Sequence, residues 1–291
     1  MAKTREFLLY SDAVMSNPNG DMINENMPRH DEKTGCLEMS DVRIKRYIRD
    51  EWVSRGQKVF VQAVKNDKGL FVNCKDVAKK VMTDEGIKED KLEQKLKDEY
   101  KDVKLFGAVI TSPKFNITGP LQIMWSRSIN EAEIKFAQGT SVFTSDKAAT
   151  QGTIWSKYFT PYALFKTYMV YNDMVAKRQE IIVSEEDISD YKEVLLAGIK
   201  NYKSTSKNQM PRLLVEVVYK SNYIDGELDY IKIDKKLPDL ELRSISDFVF
   251  DLQPLLDYYN NKKDLIESIN IYKHQKVEFA KEPNVFNYYE I

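Results

Sequence analysis

The chain predicts an α+β fold whose core runs strand, helix, strand, strand, helix, strand, the ferredoxin-like order of RNA-recognition modules, with two insertions. Three observations carry that expectation. Ile44, Tyr47, Ile48 and Trp52 recur at the spacing of a helix's buried stripe, shortly after a first apolar strand. Ser184-Glu-Glu-Asp187 forms a capping box that opens a second amphipathic helix. Between the remaining strand-like runs lie a lysine- and acid-rich stretch from Lys75 to Lys104 and a polar one from Ser126 to Phe159.

Taken in order, Phe7-Leu-Leu-Tyr10 opens the first strand, and a basic helix spans about Ser40 to Ser54 with Ser40 as its N-cap. Lys58 to Val64 alternates like a strand. Val77, Val81, Ile87, Leu92, Leu96 and Tyr100 are widely spaced among charges, which predicts two solvent-facing helices and makes 57–104 a helical insertion. Phe115 to Trp125 and Tyr162 to Tyr171 are aromatic runs of high strand propensity. The interval between them offers too little apolar surface to pack as a layer and predicts a long loop or projecting hairpin, with Gly139 and Gly152 as hinges. Ile188, Tyr191, Leu195, Ile199 and Tyr202 make one helical stripe, and Met210 to Tyr219 supplies the last core strand. Beyond it, Phe248, Phe250, Leu252, Leu255, Leu256, Tyr258 and Tyr259 predict a packed helix pair that serves as structural support. The expected organisation is a core of 1–56 and 105–220, an insertion at 57–104, a hairpin at 127–160 and a helical region at 221–291.

Charge is local rather than global. Lysine and arginine number 44 against 45 acids, so the chain is no polybasic coat for nucleic acid. Asp41 to Lys58 nevertheless holds a net excess of three positive charges, with Arg43, Lys45, Arg46 and Arg49 on the sides and outer face of the predicted helix. Arg46 and Asp50 are spaced to pair, whereas Lys45 and Arg49 stand one turn apart with like charge, a mildly destabilising arrangement that suits an anion between them. Cys36 and Cys74 sit in no metal or disulfide spacing, and no N-terminal apolar run, bilayer-length stretch or lipidation signal is present, so a soluble cytoplasmic protein without a cofactor is expected. With His30 and His274 the only histidines, a histidine-rich metal centre or two-histidine ribonuclease site is not expected.

The segment NPNGD at Asn17 to Asp21, the pair Pro28-Arg29 and DVRIKRYIRD at Asp41 to Asp50 resemble the Cas-seven family, the backbone subunit of type I CRISPR effector complexes, and most of all its type I-B branch. LFGA at Leu105, TGPLQ at Thr118, SRSIN at Ser126, the run from Gly152 to Phe165 and MPRLLVEVVY at Met210 follow in the family's order. The resemblance spans about residues 5 to 220. It implies that the core is a palm, the 57–104 insertion the fingers and the hairpin a thumb. The aromatic signature of ordinary RNA-recognition motifs is absent, so stacking of bases on the open sheet is not the expected mode. Guide RNA would instead be held by its backbone while base pairing reads the target DNA.

Residue by residue, the resemblance puts Lys45 and Arg49 on the first-helix positions that grip guide phosphates, with Arg43 and Arg46 as neighbours. Asn17, Asn19 and Gly20 shape a turn first, and the two asparagines and Arg29 are further candidates for contact with RNA. Lys207 and Arg212 flank a polar loop, Ser204 to Arg212, beside the palm. In the thumb, Val142, Phe143 and Lys147 are candidates to wedge into the guide, with Trp155 an anchor where the hairpin rejoins the core. The implied partners are CRISPR guide RNA, target DNA through the guide, further copies of the chain in a head-to-tail filament, and other subunits of the interference (Cascade) complex, with no membrane. Two other readings stay open: a metal-dependent RNA endonuclease using Asp21 or Asp31, and a stand-alone RNA-binding regulator.

Overall fold

Strand β1 (Arg5–Ser16) is buried along most of its length and has neighbours on both edges. The computed structural model describes residues 1–66, 68–142 and 153–291. After β1 come the two-residue strands β2 (Gly20–Asp21) and β3 (Met27–Pro28), then β4 (Cys36–Met39) and helix α1 (Asp41–Ser54). The insertion carries α2 (Cys74–Asp84), α3 (Glu89–Glu99) and α4 (Lys101–Phe106). Strands β5 (Gly107–Thr111), β6 (Lys114–Thr118), β7 (Leu121–Ile123), β8 (Ser126–Glu131), β9 (Lys135–Thr140) and the long β10 (Ile154–Tyr171) follow. Helices α5 (Asp173–Arg178) and α6 (Glu185–Asn201) lead into β11 (Gln209–Tyr219). The remainder holds β12 (Lys232–Lys235), β13 (Phe248–Asp251), α7 (Gln253–Asn261), β14 (Ile266–Lys273), β15 (Glu278–Phe279) and β16 (Asn287–Glu290).

The main sheet runs β16-β14-β11-β1-β10-β8-β4, with β7 and β9 also paired to β10. Alternation along β1 sends Phe7 and Leu9 into one layer and Leu8 and Tyr10 into the other. The first layer contains Ile44, Tyr47, Ile48 and Trp52 of α1 and Ile188, Tyr191, Leu195 and Ile199 of α6, as their spacing predicts. The two helices pack closely because Gly198 faces α1: a Cβ there would lie 2.5 Å from the Tyr47 carbonyl oxygen. Trp52 is fully buried, and its indole N–H donates to Asp190 at 3.0 Å. The Ser184 and Asp187 capping box at the start of α6 forms as predicted.

Several expectations change. Residues 58–64 form no strand, because the Asp102 carboxylate accepts the amides of Phe60 (2.8 Å) and Val61 (3.0 Å), replacing a ladder partner with a side chain. The insertion is not purely solvent-facing: Ala78, Val81, Leu92, Leu96 and Tyr100 join the same core as α1 and the sheet. The polar interval begins inside the sheet, since β8 pairs with both β4 and β10 and buries Ser126, Ser128 and Asn130. Among the described residues, 135–140 and 154–159 form hairpin arms, in the register Ile154 to Thr140 through Phe159 to Lys135.

The C-terminal helix pair is corrected most. Phe248 and Phe250 belong to β13, a strand flanked by β12 and β15, and one helix, α7, follows it. Their two-residue spacing is a strand period that the cluster of aromatics obscured. This region also donates β14 and β16 to the main sheet and covers its second face through Phe248, Phe250, Leu252 and Leu255.

The joint between α1 and the insertion is a buried ion pair. Arg49 Nε donates to Asp102 Oδ2 at 2.9 Å, with the aspartate side chain fully enclosed. The like-charge strain expected between Lys45 and Arg49 is therefore absent: each has a carboxylate, Lys45 pairing with Asp41 at 2.9 Å. Arg49→Ala leaves a buried carboxylate unpaired and is expected to cost about 3 kcal/mol in urea unfolding. A loss below about 1 kcal/mol contradicts the buried-pair account.

Candidate nucleic-acid interface

At about 100° per residue, the four cations of α1 fan across its outward arc and do not converge on one point. Lys45 and Arg49 lean toward the insertion, each with its charge 5.6 Å from the Phe106 ring centre. They line a cavity of about 450 Å³ with Val42, Phe60, Val77 and Val109. Arg46 is exposed and its Nε bridges both oxygens of Asp50 at 2.7 Å.

Arg43 is different. Its guanidinium lies over Tyr47 at 4.2 Å and Tyr202 at 4.8 Å, while Nε and Nη2 are buried without a hydrogen-bond partner. Buried donors of that kind are costly unless something accepts from them, and an anion supplies the acceptors. The neighbouring cation is Lys207, whose ammonium donates to the Asn17 carbonyl. Burial, and then the Arg43 charge, pull its pKa from 10.5 down to about 8.

The turn after β1 completes this corner. Asn17 donates from its backbone to Ser206 at 2.9 Å and from its side chain to the Asn26 carbonyl at 2.6 Å, which leaves its own Oδ1 buried and unpartnered. Asn19 accepts from the Ser40 hydroxyl at 3.2 Å, so Ser40 ties α1 to the turn instead of capping it with its side chain. Arg29 donates to the Asn19 carbonyl through its backbone at 2.9 Å and pairs with Asp21 at 3.4 Å.

Arg212 falls elsewhere. It lies within β11, donates to buried Asp12 at 2.8 Å and approaches His274 at 3.4 Å, on the wall of a separate cavity with Lys203 and Lys276. Asp21 holds the turn, accepting from Ile23 N at 3.2 Å and Asn24 Nδ2 at 3.0 Å. Asp31 pairs with Arg127, and a hydrogen bond from the Lys33 amide leads in holding its carboxyl below the usual range. Among the described residues no group of three or more histidines, cysteines or acids is arranged to hold a metal ion. Val142 stands 90 % exposed beyond the end of β9, while Phe143 and Lys147 lie outside the described residues. Trp155 is not at the root of the hairpin but four pairs out, half-exposed and packed across Gly139.

Sequence reasoning missed Tyr202, Lys157 and Lys203. Tyr202 was read only as part of a core stripe, although its ring also carries Arg43. Lys157 donates to the Thr205 carbonyl at 2.9 Å, linking the hairpin to the Lys207 loop, and no local pattern signals a contact made 48 residues away.

A mixed α+β protein with a cation-bearing first helix and a lysine-bearing loop beside its central strand is the class these features define, and its relatives are CRISPR-associated proteins. The sequence model of the family described as CRISPR-associated protein Cas7 matches residues 3–253, and the chain belongs to that family. It is 26 % identical over 300 residues to a CRISPR-associated protein Cas7 of Haloferax volcanii, covering 94 % of this chain and 87 % of that protein. Its fold is similar to that of a chain from a CRISPR RNA-guided surveillance complex in a pre-nicking state, with a TM-score of 0.62, 13 % identity, and 99 % and 96 % of the two chains covered. A second such complex gives a TM-score of 0.54 at 12 % identity, covering 98 % and 94 %. No helix among the described residues is long and apolar enough to cross a membrane.

Contact between Lys207 and an anion would make that binding pH-dependent. The folded chain holds this proton more weakly than an unfolded one, so the group's contribution to stability rises from about pH 8 toward 10.5. Binding runs the opposite way, because only the ammonium attracts phosphate. Affinity for oligoadenylate is expected to fall several-fold between pH 7 and 9 and to be nearly flat in Lys207→Arg. A wild-type profile as flat as the variant's removes Lys207 from the interface.

Proposed function

We propose that this chain is a guide-RNA-binding backbone subunit of a type I CRISPR interference complex, which polymerises along the guide and presents it for pairing with target DNA. The family match over residues 3–253 carries this reading. The Arg43 guanidinium beside Lys207, with its buried Nε and Nη2 lacking acceptors, supplies the physical means: a fixed cationic corner that suits a phosphate and reads no base.

Strand order β11-β1-β10-β7, with α1 and α6 as the crossovers, corresponds to 4-1-3-2 and supports the ferredoxin-like palm. The 57–104 insertion acts as fingers and the β9–β10 hairpin as a thumb that reaches the next copy, in a head-to-tail contact that extends without closing. Arg43 and Lys207 grip first. Lys45, Arg49 and Arg46 continue the track along the outward arc of α1, with Asn17, Asn19 and Arg29 shaping its edge. The subunit acts without catalysis: Asp21 and Asp31 each serve the turn that contains them, and neither joins a metal-binding set among the described residues.

Purification from the host with sequencing of bound RNA is expected to yield CRISPR guides. With Arg43 and Lys207 both changed to alanine, the slope of log affinity against log salt is expected to shrink by about 1 to 1.5 for a single-stranded ligand. Lys232→Ala, on an exposed strand of the C-terminal part, serves as the control and is expected to change nothing. An unchanged slope in the double variant rejects the cationic corner. Guide-loaded protein is expected to leave complementary RNA intact in magnesium or manganese, and specific cuts abolished by Asp21→Asn or Asp31→Asn would establish the nuclease instead.

A further inference from the structure

We infer that the cavity between the end of β1, the start of β11 and the turn after β14 is a separate anion site, which takes inorganic phosphate or a phosphate monoester in preference to sulfate and phosphodiesters. It does not depend on the guide-binding reading above. The cavity, of about 410 Å³, is lined by Asp12, Lys203, Arg212, His274 and Lys276. Its link to the Arg43 corner is a short loop closed by the paired backbones of Ser204 and Lys207, which sends Lys207 to the corner and Lys203 to the cavity.

Donors crowd this cavity. Arg212 spends Nε on Asp12 at 2.8 Å, while its Nη1 stands 3.4 and 3.5 Å from the two ring nitrogens of His274 and so aims at neither lone pair. The histidine is fixed by its own turn: its backbone N donates to the Arg212 carbonyl at 2.9 Å, and Nδ1 accepts the Lys276 amide at 3.1 Å. A neutral ring that accepts at Nδ1 carries its proton at Nε2. Two N–H donors thus lie 3.5 Å apart, where a shared acceptor would relieve both. Lys203 gives two of its donors to Asn208 Oδ1 at 3.0 Å and the Gln209 carbonyl and keeps a third. Burial pulls the Lys203 pKa down, an effect that the Asp12 charge only partly offsets. Burial, and then the charges of Arg212, Lys276 and Lys200 of α6, lower that of His274. An anion among these groups reverses the repulsion.

Asp12 decides which anion fits. Its side chain is enclosed, Oδ2 accepts from Arg212 Nε and from the Tyr162 hydroxyl at 3.3 Å, and Oδ1 is buried without a partner. A buried carboxylate oxygen wants a donor. Sulfate and a phosphodiester present only acceptors at neutral pH, whereas a phosphate monoester, whose second pKa is about 6, also presents a P–O–H. Burial pushes the Asp12 pKa up, toward that of the phosphate, which favours a proton held between the two. The carboxylate that would repel a bare anion therefore selects one that brings a hydrogen.

Histidine NMR reads the site directly, because His30 and His274 are the chain's two histidines. In the full chain free of RNA, inorganic phosphate and glycerol phosphate are expected to shift the His274 ring resonances saturably and to move its titration to higher pH, while His30 stays still. These two arms separate the free ion from its ester. Sulfate and dimethyl phosphate are expected to need about tenfold higher concentrations, the factor that one charge-assisted hydrogen bond supplies. Asp12→Asn, which puts an N–H where the acceptor stood, is expected to bring sulfate level with phosphate. The wild-type ranking decides by itself should that variant fail to fold. With Arg43 and Lys207 both changed to alanine, the His274 response is expected to match the wild type. Equal responses to all four anions in the wild type, a response shared by His30, or none at all overturns the phosphate site and leaves the guide reading untouched. A His274 response lost in the corner variant assigns the anion to the corner and overturns the separate site.

Discussion

The antiparallel pairing of β1 with β11 is the constraint from which the proposed binding corner follows. Register runs from Arg5 opposite Val218 to Ala13 opposite Gln209, so the chain leaving β1 must emerge beside the chain entering β11. That is why Val14 N donates to Asn208 O at 3.1 Å and Asn17 N to Ser206 O at 2.9 Å, across almost two hundred residues. After the turn and β4 the chain enters α1, whose first turn brings Arg43 over Tyr202 at the end of α6. Three segments remote in sequence meet because one strand in the middle of the sheet has both edges taken.

Electrostatics then sorts the cations of α1 by their neighbours rather than by their spacing. Lys45 and Arg49 stand one turn apart with like charge, but Asp41 and the buried Asp102 each answer one of them, and Arg49 becomes the fastening between helix and insertion. Arg46 has Asp50. Arg43 has aromatic neighbours and no carboxylate, and the charge beside it is Lys207, so a guanidinium without a counter-ion raises the cost of the ammonium nearby. In the proposed function an incoming phosphate relieves both, and the corner would bind anions because it is electrostatically unfavourable when empty.

Local periodicity made β1, α1, α6 and β11 legible, because each has an unbroken apolar stripe of one period and α6 adds its capping box. The failures were contacts made at long range. Lys58 to Val64 alternates like a strand, yet a carboxylate forty residues on takes its amides. Phe248 and Phe250 sit in an aromatic cluster that fits either period, and only pairing with β12 and β15 decides it. For the proposed site, the sequence pointed to α1 and the turn after β1 and ranked Lys45 and Arg49 above Arg43, because no sequence signal says that Asp102, 53 residues away, is spoken for by Arg49. Arg212 was drawn into the loop by its neighbours in sequence and is claimed in the fold by Asp12.

The central claim is that the guide backbone crosses the corner where the turn after β1, Tyr202 and the Lys207 loop converge. Ultraviolet cross-linking of guide RNA to the assembled protein, read by peptide mass spectrometry, addresses it most directly. Adducts are predicted within residues 17–28, at Tyr47 or Tyr202, and within 203–208. Adducts concentrated in residues 221–291, which extend the far edge of the sheet and cover its other face, would contradict the account.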